Sequence, residues 1–148
     1  MHNTRTSMTL LAGVLALFQP CKADDNADEL KRLEGRYERT YANQAGTWFR
    51  VTKDIAGDQE TVTHYDDVGN VVVANTATIK VEKRGPVRVF SFFNVVVTAG
   101  PDKGEQHFQT VSYIYRVNDE SFVEVWGMLE GDPNPPQIMS WKRAKALK

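Results

Sequence analysis

Leu33-Glu34-Gly35-Arg36-Tyr37-Glu38-Arg39-Thr40-Tyr41 is the stretch on which the reading of the whole chain turns. Up to Leu33 the spacing is helical. In Asp24–Leu33 the acids come first, the bases last and the leucines stand three apart, which suits one short helix whose ends match its dipole. At Gly35 that period stops and an alternating run begins. A glycine lets the chain turn tightly there, so Tyr37 falls on the first strand of whatever sheet follows.

Downstream, turn formers recur at short intervals: Asn43-Gln44-Ala45-Gly46, Ala56-Gly57-Asp58, Asp67-Val68-Gly69-Asn70, Arg84-Gly85-Pro86, Gly100-Pro101-Asp102-Lys103-Gly104, Asn118-Asp119-Glu120 and Gly131-Asp132-Pro133-Asn134-Pro135-Pro136. Between them lie segments rich in Val, Thr, Phe, Tyr and Trp, at about 35–43, 47–56, 59–67, 70–83, 87–98, 106–117, 121–130 and 137–144. Every connection is too short for a parallel crossover, so neighbours in sequence pair antiparallel. A flat meander of this length leaves two long edges, and closure removes them. The expected fold is therefore all-β: an eight-stranded antiparallel up-and-down barrel preceded by a short helix.

Alternation indicates which residues fill it. The fourth segment places Val71, Val73, Ala77, Ile79 and Val81 on one face, while Val72 and Ala74 give way to Thr76, Thr78, Lys80 and Glu82 on the other. The fifth is apolar on both faces, with Val87, Val89, Phe93, Val95 and Val97 opposing Phe90, Phe92 and Val96. In the sixth and seventh, Val111, Tyr113, Tyr115 and Val117 oppose Phe108 and Ile114, and Phe122, Trp126 and Met128 oppose Val123, Val125 and Leu129. One face fills the barrel; the other needs a cover such as the helix, a partner or a ligand.

A short helix, then Leu33-Glu34-Gly35-Arg36-Tyr37, an eight-strand meander and a closing strand ending Trp141-Lys142-Arg143 resembles the lipocalin-like domains. It is most similar to the functionally uncharacterised family of such domains in secreted proteins of planctomycete-type bacteria. The resemblance covers roughly residues 28–144. It implies barrel closure through Gly35 and Tyr37, the latter standing where lipocalins carry Trp, with Arg143 or Lys142 laid across the ring. It also implies a cup for small apolar molecules, and brings no catalytic residue or cofactor.

The first 23 residues read as a signal peptide. Arg5 supplies the positive n-region, Met8 to Phe18 an apolar run too short to span a bilayer, and cleavage is expected after Ala23. Cys21, the only cysteine, offers the alternative of a lipid anchor, although Phe18-Gln19-Pro20 lacks the small residue such a site wants. Cleavage after Ala23 leaves no thiol for a disulfide or metal and removes Arg5 and Lys22, so 18 basic residues become 16 against 19 acidic ones, a net charge of −3. That balance gives no general attraction to nucleic acid or anionic membrane. The tail Lys142-Arg143-Ala144-Lys145-Ala146-Leu147-Lys148 reads as a solubilising terminus. The expected product is an exported, periplasmic or extracellular monomer, its lipocalin-like barrel spanning 35–144.

Few residues suggest chemistry. His64 and Asp66 share a strand face, but a metal would need a third ligand from elsewhere. Glu124 lies between Phe122 and Trp126 on an apolar face, where it would either be an acid/base group with a raised pKa or pair with Arg116 on the adjacent strand. No nucleophile elbow or phosphate-binding loop is present. The pattern of apolar walls with a few orienting groups suggests that Phe90, Phe92, Asn94, Tyr113, Tyr115, Glu124 and Trp126 line a pocket for a small apolar or amphipathic ligand, with no cofactor. A barrel enzyme using Glu124 or His64, or an envelope interaction module, are the alternatives.

Overall fold

A computed structural model describes residues 24–132 and 135–145. The signal-peptide cleavage and the lipidation alternative at Cys21 lie outside the described residues. Helix α1 (Asp24–Leu33) leads into β1 (Gly35–Ala42), β2 (Trp48–Ala56), β3 (Gln59–Tyr65), β4 (Val71–Arg84), β5 (Val87–Ala99), the two-residue β6 (Gln106–His107), β7 (Val111–Val117), β8 (Ser121–Trp126) and β9 (Gln137–Arg143). The strand order is β4-β3-β2-β1-β9-β8-β7-β5, and β4 also pairs with β5. The sheet thus closes into an eight-stranded antiparallel barrel, with β6 added beside β5 at Val95 and Val96. No helix among the described residues is long and apolar enough to cross a membrane.

The alternating run that starts at Gly35 becomes β1 and sits between the second strand and the last. Its pairing with β2 runs the whole strand, from Gly35 opposite Ile55 to Ala42 opposite Trp48. Its pairing with β9 is confined to Tyr37 opposite Arg143 and Glu38 opposite Lys142. Beyond that the two strands part and leave a seam in the upper wall.

Helix α1 closes the lower end, the floor. Leu33 is fully buried and Leu30 packs on the same cluster, which includes Tyr37, Ile55, Val81, Tyr115, Val117 and Phe122. The Tyr115 hydroxyl donates to Glu29 Oε1 at 2.9 Å, and Arg88 lies 3.3 Å from the same oxygen. Burying those apolar side chains stabilises the floor by roughly 1.5–3 kcal/mol each. The helix serves the interior and leaves the outer wall uncovered: Phe93, Ile114, Val123 and Val125 remain half-buried there.

Two segments depart from simple alternation. In β5, Asn94 takes a left-handed backbone (φ 52°), and the register against β4 shifts nearby, between Thr76 and Thr78. This bulge reverses the sense of the faces, so Val97 is buried although Phe90 and Phe92 define the inner face below it. The expected sixth strand breaks into β6 and β7, because each pairs with a different part of β5 and residues 108–110 between them belong to neither.

Candidate functional site

The interior is built in three layers. At the floor, Gly35 has φ 135°, and a Cβ there would lie 3.0 Å from Arg143 Nη1. Room and backbone freedom at this position let the guanidinium reach the end of α1, where Nη1 donates to Glu34 O at 2.7 Å and Nη2 to Arg32 O at 2.8 Å. Nη2 also donates to the Tyr37 hydroxyl, which in turn donates to Leu33 O, each at 2.7 Å. Three carbonyls at the end of the helix thereby gain donors, two of them from the charged guanidinium. The Arg143 guanidinium carbon sits 4.8 Å from the Tyr37 ring centroid, so Arg143 rather than Lys142 lies across the ring. Burial raises the Tyr37 pKa against the opposing pull of Arg143 and Lys53.

At mid-height, Lys53 enters from β2. Its ammonium lies 2.5 Å from Glu124 Oε1 and 3.2 Å from Glu60 Oε2, and it donates to the Tyr113 hydroxyl at 3.0 Å. Lys53, Glu60 and Glu124 are 4%, 4% and 1% exposed, so this is a dry cluster with one formal negative charge in excess. The contact to Glu60 is an ion pair without hydrogen-bond alignment, since Glu60 Oε2 accepts no bond. Phe90, Tyr113, Phe122 and Trp141 ring the ammonium at 5.1 to 5.4 Å from their centroids. Burial by itself lowers the Lys53 pKa, but Glu60 and Glu124 outweigh it and the net shift is upward. Burial, then Glu124 and Glu60, push the Tyr113 phenol well above its ordinary value.

Glu124 is thus fully committed: Oε1 faces Lys53, and Oε2 accepts from Trp126 Nε1 at 3.0 Å. Arg116, the expected partner, opposes Val123 rather than Glu124 and is exposed on the outer face, which corrects that pairing. Lys53 and Glu60 escape a reading that looks for titratable groups one at a time. Their signal was the alternation: Lys53 shares a face with Val51 and Ile55, and Glu60 with Val62 and His64.

The upper layer is more open. Tyr41, His64, Phe92 and Trp126 are half-buried, with Trp126 stacked on Tyr113 at 4.7 Å. The Tyr41 hydroxyl lies 3.4 Å from His64 Nδ1. Burial and the nearby Arg39 cation lower the His64 pKa, favouring the neutral ring. At this end the exposed apolar side chains Trp48, Val68, Val71, Phe108 and Met128 lie at strand ends or in turns, while Ile138 pairs with Val125 on the outer face.

The expected ligand residues therefore divide. Phe90, Tyr113, Tyr115 and Glu124 pack in the floor and middle layers, where Phe90 and Tyr113 stack at 5.0 Å. Phe92 and Trp126 face the upper layer, 6.1 Å apart. Asn94 sits exposed at the bulge and does not join them. His64 and Asp66 also separate: Asp66 accepts from the backbone of Val68 and Asn70 and from the Asn70 side chain, as an ordinary turn residue. Among the described residues, no three His, Cys, Asp or Glu side chains gather as a metal site. Compared with models of known families, curated proteins and solved structures, the chain matches none.

Proposed function

We propose that this chain is an exported, lipocalin-like binding protein that takes a small apolar or amphipathic ligand in the upper third of its barrel. The observation that carries this reading is the contrast between layers: a floor sealed by α1, a middle filled by ion pairs and rings, and a mouth where Tyr41, His64, Phe92 and Trp126 stay half-buried. Apolar walls with a few convergent polar groups are what a small-molecule site requires. A ligand held by these side chains at the barrel mouth is short or only partly enclosed. Membership in the planctomycete-type lipocalin-like family rests on the order of helix, Gly35-x-Tyr37, meander and Arg143, and export rests on the apolar leader.

Titration of the protein with 1-decanol, followed by tryptophan fluorescence and melting temperature, tests the cup. Saturable quenching that disappears in Trp126→Phe, together with a raised melting temperature, is the expected result. No response to decanol or to any member of a lipophilic panel would sink the binding reading.

A further inference from the structure

The seam between β1 and β9 is a second feature of the upper barrel. It opens as a cleft of about 550 Å³ lined by Glu38, Arg39, Thr40, Arg50, Ser140, Lys142, Arg143 and Ala144. Four cations meet one carboxylate there, in a chain whose net charge is −1. Lys142 has no ion-pair partner among the described residues, and Arg50 reaches Glu38 only at 4.0 Å.

Arg39 is held rather than paired. Its guanidinium lies 4.8 Å over the Trp141 ring and 5.4 Å from Tyr41, and no carboxylate among the described residues neutralises it. Three buried N–H donors on these two strands lack an acceptor: Arg39 Nε, Trp141 Nε1 and Arg143 Nε. Buried donors in folded proteins nearly always find acceptors, so three in one neighbourhood call for a common explanation. Main-chain groups add to the set. Ala144 N donates to Arg36 O, which places the polar groups of Arg36 on the β9 side of β1. By strand alternation, those of Thr40 face the same way, where the seam offers them no strand partner.

We propose that the β1–β9 seam is an oxyanion site that binds a phosphate or carboxylate group. Planar guanidinium forks match such oxygens in pairs, and Arg39, stacked on Trp141, is already held in place. The site adjoins the cup, since Arg39 also lies 5.4 Å from the Tyr41 ring, but it recognises charge where the cup recognises apolar surface.

Its test uses ¹⁵N-labelled protein, reading arginine Nε–H resonances while inorganic phosphate or decyl phosphate is added at constant ionic strength. Saturable shifts at Arg39 and Arg143 are expected. In Lys142→Gln and Arg50→Gln, both altered at exposed positions, binding weakens about tenfold if one charged hydrogen bond is lost. Arg39→Gln abolishes it, and the two surface variants keep the proposal testable should that variant fail to fold. A response to phosphate itself identifies a free oxyanion; a response to decyl phosphate alone identifies the head group of an amphiphile. Equal shifts with sodium chloride, or phosphate binding unchanged in the Lys142→Gln/Arg50→Gln double variant, would overturn the proposal. Decanol binding with no phosphate response leaves the cup standing without the seam site, and the reverse result removes the cup alone.

Discussion

Lys53 is the residue on which the barrel middle depends. Removing one member of a buried ion cluster strands the others, at a cost of about 3–5 kcal/mol, whereas replacing all members together is often close to neutral. Lys53→Met therefore destabilises severely, because Glu60 and Glu124 are left facing each other without a cation. The triple variant Lys53→Met/Glu60→Gln/Glu124→Gln recovers much of that loss, a coupling that urea denaturation of the single and triple variants measures directly. A triple variant as unstable as Lys53→Met would show that the three residues act separately. At this scale the sequence was half legible. Glu124 stood out between Phe122 and Trp126, but its partner comes from a strand 71 residues away, and no local pattern names a long-range counter-ion.

At the scale of elements, α1, β1 and β9 form one latch. Arg143→Gln removes charged bonds to Arg32 O, Glu34 O and the Tyr37 hydroxyl, and charged hydrogen bonds contribute about 1.5–3 kcal/mol. Arg143→Lys recovers only part, since one ammonium cannot fork to both carbonyls and lie flat over the ring. Gly35→Ala strains a φ of 135° and crowds Arg143, so it costs about 1–3 kcal/mol. Melting temperatures of the three variants check the ranking; a fully stable Arg143→Gln would show that β9 docks without the latch. Element boundaries were mostly legible, because Gly, Asn, Asp and Pro punctuate nearly every turn. The strand faces were less so. Alternation held in β4 from Val73 to Val81 apart from the buried Ala74, and failed at Val71, which a bulge sets opposite Tyr65 and leaves exposed. It failed again in β5, since Asn94 is one of the few non-glycine residues that tolerates a left-handed backbone and nothing in Phe93-Asn94-Val95 requires it to adopt one. That single bulge is why Asn94 left the expected pocket.

For the molecule as a whole, the buried cluster sets the response to pH. The folded pKa of Lys53 lies above its ordinary 10.5, and that of Tyr113 well above 10.0. Both groups hold their protons more tightly when folded, so the stability they contribute is complete below about pH 10 and lost as pH rises through the folded values. Denaturation midpoints are accordingly expected to fall steeply above pH 10, and less steeply in the triple variant; a flat profile to pH 11.5 would refute the assignment. The closed meander was readable as a whole because every connection is short, while the filling of its middle was not, since strand patterns give the identity of inward residues and not the space between them. The two-pair closure of Tyr37 and Glu38 onto Arg143 and Lys142 has a further consequence for how the molecule is made. The strand that begins the barrel is completed only by the strand that ends it, so every strand must leave the ribosome before the floor can shut. Until then β1 presents a bare edge, and the nascent protein depends on delay or on a chaperone to keep that edge from pairing with a neighbour.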